Sequence, residues 1–236
     1  MKAFSSLCLI LCLALHSRAA SAADVLFAGV LPDGATVRKP VESMREAKFR
    51  HLVRQQTDYS CGAASLATIL RHAYHLNADE ATVIEGMMGL ADPEVVRERG
   101  FSLLDIKRYV ESIGMRGRGY RVNEERLRSL RVPGLILMDV QGFRHFVVLK
   151  TVNDDMVELG DPILGNRRMK VDEFMAAWPS RAIFVVIGTD FDRNTVLLQP
   201  SAQPSARALY ARQGPITDAE LLDFGFTHAD LFWERS

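Results

Sequence analysis

The chain has 236 residues, 48% hydrophobic and 25% charged, with 29 basic and 29 acidic side chains. That balance, with no basic block, gives no electrostatic case for nucleic-acid binding. The length suits one domain with a sizeable core and short extensions.

Met1-Lys2 is a short positive start, Leu7 to Leu15 an apolar run, and Ala20-Ser21-Ala22 a small-x-small cleavage pattern. Together they predict a secretory signal peptide over residues 1–22 and a mature start near Ala23. The apolar run is too short to span a bilayer, and no later segment is apolar for long enough. A lipid-attachment signal needs a small residue before its cysteine; Leu7 and Leu11 precede Cys8 and Cys12, so no lipid anchor is expected. The expected location is periplasmic or secreted. Cleavage would leave Cys61 as the lone cysteine. An unpaired thiol in an oxidising space is either buried for structure or used for chemistry.

Residues 23–48 form an N-terminal lead-in. Leu31-Pro32-Asp33-Gly34-Ala35 predicts a turn, and Val37 to Val53 an extended approach to Cys61. From Cys61 to about Tyr74, small and aliphatic residues at helical spacing predict a helix buried on most sides. Asn77-Ala78-Asp79-Glu80 resembles a capping box and starts a second helix to about Met88. Asp92-Pro93-Glu94 opens a short third helix. Ser102 with Asp105 opens a fourth, which Gly114 closes.

Strand patterns then take over. Strands are expected at Gly119–Val122 and Gly134–Val140, with a small helix over Asn123–Leu130 between them. Gly142–Lys150 and Met156–Asp161 predict a hairpin across Asn153-Asp154-Asp155. A strand over Asn166–Val171, a helix over Asp172–Trp178 and a strand over Arg181–Gly188 complete the domain, which spans 49–188. Helices first and a mostly antiparallel sheet second make the fold class α+β. Residues 189–236 are a C-terminal extension: a linker around Gln199–Ser205, then an apolar helix opened by Thr217-Asp218-Ala219-Glu220.

Cys61 at the first turn of a helix lies where unpaired N–H groups and the positive dipole end favour a thiolate, with a pKa expected below the usual roughly 8.5. A nucleophilic thiol needs a base, an orienter for that base, and donors for the oxyanion. His145 starts one strand of the expected hairpin and Asp161 ends the other, so pairing would make them neighbours. Asp161 would orient His145, and His145 would take the Cys61 proton. A glutamine side chain and the Cys61 N–H would hold the oxyanion during acyl transfer through a thioester. No cofactor is required. His72 and His75 share a helix face, but no nearby carboxylate or cysteine completes a metal site.

Gln55, Cys61-Gly62-Ala63-Ala64 running into Leu66-Ala67-x-Ile69, Gly142-x-x-His145-Phe146-Val147-Val148-Leu149 and Gly160-Asp161-Pro162 together resemble peptidase family C39, the bacteriocin-processing cysteine peptidases. The resemblance implies a papain-like fold, Cys61 as nucleophile, His145 as base and Asp161 as orienter. The family spacing, six residues before the cysteine, assigns the oxyanion role to Gln55, with Gln56 as the alternative. The acidic residue that the family carries just before the cysteine is Ser60 here. With a signal peptide and neither transporter membrane domain nor ATPase, the chain resembles the stand-alone exported members encoded with functional-amyloid secretion systems. The implied partner is a polypeptide substrate, a secretion-system or amyloid-system component. Two other readings stay open at this level: another papain-like acyl transferase or amidase, and a non-catalytic peptide-binding module.

Overall fold

The computed structural model describes residues 23–27, 37–41, 44–140 and 142–200. The signal peptide expected over residues 1–22, the turn expected at Leu31–Ala35 and the helix expected in the C-terminal extension fall outside them. Two short strands, β1 (Ala23–Phe27) and β2 (Val37–Val41), pair antiparallel. The extended approach expected over Val37–Val53 is interrupted by helix α1 (Met44–Lys48). Met-Arg-Glu-Ala-Lys is a run of strong helix formers, and that local preference prevails there.

Four helices follow: α2 (Cys61–Ala73), α3 (Glu80–Met88), α4 (Pro93–Arg99) and α5 (Leu103–Ser112). Asp79 caps α3 by accepting from Thr82 N–H, but no reciprocal box forms, because the N3 residue is Thr82. Ser102 and Asp105 do form a full capping box on α5. At its other end, the N–H groups of Gly114 and Met115 return to Glu111 O and Val110 O, with Gly114 at φ 81°.

The remaining chain builds a six-stranded antiparallel sheet in the order β3-β8-β4-β5-β6-β7. The strands are β3 (Arg116–Arg121), β4 (Gly134–Val140), β5 (Phe143–Asn153), β6 (Met156–Asp161), β7 (Gly165–Lys170) and β8 (Ala182–Ile187). Helix α6 (Glu124–Arg128) lies between β3 and β4, and α7 (Val171–Ala177) between β7 and β8. The α+β reading of the sequence holds.

Alternation along β5 divides the core into two. Phe146 and Val148 join α2, α3 and α5 in one cluster, with Leu66, Ile69, Met87 and Ile106. Val147 and Leu149 join α6 and α7 in the other, with Leu127, Phe174 and Trp178. Truncating a side chain as buried as Leu66 would cost about 2–5 kcal/mol.

Small residues let α2 press onto β5. A Cβ on Gly62 would lie 3.2 Å from both Phe146 Cδ2 and Ile106 Cδ1. The Ser65 hydroxyl donates to Phe146 O at 3.2 Å. Thr68 donates back to Ala64 O and accepts from Val53 N–H, so the strap before the helix is tied to the helix itself. This contact fixes the start of α2 against the start of β5.

Candidate active site

Cys61 is the first residue of α2 and is partly buried. The backbone amides of Phe146, Gly62 and Cys61 itself hydrogen-bond toward its thiol and favour the thiolate. Burial acts the other way and is the larger effect, and the Asp161 carboxylate adds to it, so the thiol is pushed up from its ordinary value. This reverses the lowered pKa expected from the helix start. A helix terminus favours charge only to the extent that the site stays hydrated, and here the thiol is covered by the packing of α2 on β5.

His145 lies near the start of β5, opposite Met138 of β4, and is 4% exposed. Asp161 ends β6 and is 1% exposed. Val148 pairs with Gly160 across the hairpin, which brings the two ends together. His145 Nε2 then lies 3.0 Å from Asp161 Oδ2. The other carboxylate oxygen accepts from the N–H groups of Ile163 and Leu164, each at 2.9 Å. Arg167 Nη1 approaches Oδ2 at 3.5 Å. Burial alone would raise the Asp161 pKa, but the hydrogen bonds from His145, Leu164 and Ile163 outweigh it and hold the carboxyl low. Asp161 is therefore ionised at neutral pH and accepts from an Nε2–H. His145 Nδ1 is buried with no hydrogen-bond partner among the described residues.

Gln55 is partly buried, and its N–H donates to Pro162 O at 2.9 Å, tying it to the turn that follows Asp161. Its side-chain Nε2 donates to Thr57 O at 2.5 Å. Gln56 is exposed, and its side chain reaches only Arg54 O at 3.4 Å. Gln55, Cys61 and His145 line one groove of about 760 Å³, and Gln56 does not. Tyr59, Phe101 and Leu103 line the same groove, as do Phe143 and Ile163, which are 60% and 41% exposed. The Phe143 ring lies 5.2 Å from that of His145. Arg97 and Arg99 are exposed and also line it.

Sequence reasoning missed three contributors. The Phe146 N–H reaches the thiol only because β5 packs on α2. Arg167 meets Asp161 across the β6–β7 turn. Glu80, taken only as part of a cap, accepts from Gln56 N–H and from the Ser60 hydroxyl. None has a local sequence signal, since each depends on a distant element. His72 and His75 are not drawn to the groove: His75 pairs with Asp192 at 3.3 Å, and His72 packs edge-on against His51.

A thiol at a helix start, sharing a groove with a carboxylate-bound imidazole, is the arrangement of a cysteine-type peptidase. The chain belongs to the peptidase C39 family, whose model matches residues 50–190. It is 46% identical over 222 residues to the probable functional amyloid protease FapD of Pseudomonas fluorescens, covering 94% of this chain and 98% of that one. It is 50% identical over 202 residues to the protein of the same name in Pseudomonas aeruginosa, covering 86% and 89%. Among solved structures it resembles a double glycine motif protease from an AMS/PCAT transporter, in complex with the leader peptide. That match has a TM-score of 0.50 and 26% identity, and covers 58% of this chain and 91% of the other. The chain is thus a C39-type cysteine peptidase.

Proposed function

We propose that Cys61, His145 and Asp161 form the catalytic triad, with Gln55 as an oxyanion donor. The observation that carries this reading is the division of the imidazole. Nε2 is committed to the ionised Asp161, which leaves Nδ1 as a buried base with no partner among the described residues, in the groove that holds Cys61.

The mechanism follows from those groups. The raised thiol keeps its proton at rest, so His145 Nδ1 removes it as the sulfur attacks the peptide carbonyl carbon. The carbonyl π electrons move to oxygen. The Cys61 N–H and the second amide hydrogen of Gln55, the one not given to Thr57 O, receive that oxyanion. The C–N bond breaks as His145 returns the proton to the leaving amine. Water then adds to the thioester carbonyl and gives its proton to His145; the intermediate collapses with cleavage of the C–S bond, the departing sulfur takes that proton back to restore the thiol, and the carboxylic acid product is released. Asp161 stays ionised and stabilises the imidazolium in each half-reaction.

The substrate is an extended polypeptide segment lying in the groove lined by Phe101, Leu103, Phe143 and Ile163. The names of the two Pseudomonas relatives support a protein of a functional-amyloid system as that polypeptide. The n-region, apolar run and Ala20-Ser21-Ala22 pattern support export, so cleavage takes place in the periplasm or outside the cell. The test replaces Cys61 by alanine in the producing cell and maps the N-termini of exported proteins. One or a few should become longer, and an unchanged set would refute the triad.

A further inference from the structure

The serine before the nucleophile does not do what its position invites. Ser60 is the N-cap residue of α2, where a hydroxyl ordinarily accepts from an N–H of the first turn. Its side chain makes no such bond. It is fully buried and instead donates to Glu80 Oε1, with Thr57 O a further 2.8 Å neighbour. Glu80 is 5% exposed at the first position of α3, and the same Oε1 accepts from Gln56 N–H at 2.8 Å. One buried carboxylate thus holds both ends of the turn that runs from the glutamines to Cys61.

We infer that Glu80 is a positioning residue for the active site, because it draws the Ser60 hydroxyl away from the first turn of α2. The amides of that turn are then left for the thiolate and the oxyanion. The Gln56 bond keeps the Gln55 backbone in the register that seats it on Pro162 O. Without the carboxylate, the freed hydroxyl would turn to cap α2 and compete for those amides. Glu80 touches no reacting atom and acts through Ser60 and the turn. The inference rests on the peptidase reading only for its kinetic consequence.

The test uses the purified full chain with Glu80→Met, Glu80→Gln and the double variant Glu80→Met/Ser60→Ala. The first readout, independent of any substrate, is the pH profile of Cys61 alkylation by iodoacetamide. The second is kcat and KM on a quenched fluorescent peptide centred on Gly-Gly, and thermal melting accompanies both. Glu80→Met should displace the alkylation profile to higher pH and lower kcat about tenfold, with KM moving less than about twofold. Glu80→Gln, a neutral acceptor, should fall between it and the wild type. Removing the competing hydroxyl in the double variant should return the profile toward wild type, which a purely structural role for Glu80 would not produce. An unmoved profile in Glu80→Met, or a double variant no better than the single, overturns the inference. Should Glu80→Met not fold, an unmoved profile in Glu80→Gln overturns it. If Cys61→Ala cleaves the peptide as well as wild type, the peptidase reading fails, and the alkylation profile still decides the role of Glu80.

Discussion

His145 Nε2 stands 3.0 Å from Asp161 Oδ2, while Asp161 Oδ1 accepts from two backbone amides of the turn that follows. The carboxylate is held by its own chain on one side and holds the imidazole on the other. Replacing it by asparagine separates these roles. The amide oxygen can still accept from Ile163 and Leu164, but Nδ2–H then faces Nε2–H, two donors opposed. His145 must shift its proton to Nδ1 and lose its basic nitrogen. Asp161→Asn should lower kcat/KM by about a hundredfold or more while melting close to wild type. A loss under about threefold would remove Asp161 from the mechanism.

Gln55 and Gln56 are adjacent, and the fold assigns them different surroundings. Gln55→Ala should lower kcat by about a hundredfold with little change in KM, as expected for a donor used mainly in the transition state. Gln56→Ala keeps the backbone N–H that Glu80 needs and removes only an exposed side chain, so its kcat/KM should stay within about twofold. Steady-state kinetics on the same peptide would check both, and equal losses would contradict the assignment.

Burial pushes the Cys61 thiol up. Alkylation by iodoacetamide should therefore be slower at neutral pH than for a free cysteine, and should still be rising above the ordinary thiol range of about 8.5. A rate that is already maximal at pH 7 would mean that the helix terminus and His145 outweigh burial.

Acid should weaken the fold in two stages. His72 is held at about 4 by burial, aided by the positive fields of His51, Arg71, Lys150 and His75. Its folded pKa lies below the usual roughly 6.5, so its neutral-state contribution is full above that pH and is lost as pH falls toward 4. Asp161, also held low, loses its contribution only below about pH 4, as its carboxyl takes a proton. Urea unfolding of wild type should weaken between pH 6.5 and 4, and His72→Gln should flatten that part of the curve. Equal slopes in the two proteins would exclude His72 as the cause.

Most of the sheet was legible from the sequence because β strands this buried carry nearly continuous aliphatic runs, as in Phe146-Val147-Val148-Leu149. The lead-in, expected to be extended over Val37–Val53, is helical at Met44–Lys48, where a short run of helix formers sets the local structure. The pairing of His145 with Asp161 followed from hairpin logic, since the start of one strand and the end of the next must meet. The Cys61 pKa did not follow, because a dipole argument needs only local sequence while desolvation depends on what packs overhead.

Chain order alone singled out the groups proposed to react: a cysteine opening a small-residue helix, a histidine opening a strand, an aspartate closing the next, and a glutamine upstream. Those are properties of local pattern, of period 3.6 and period 2, and they survive in one dimension. Only the tertiary structure decided which imidazole nitrogen has no partner among the described residues, which glutamine faces the groove, that burial lifts the thiol, and that Glu80 of a separate helix engages Ser60. Each of these depends on distances between elements far apart in the chain. Packing sets those distances, and no local preference encodes them.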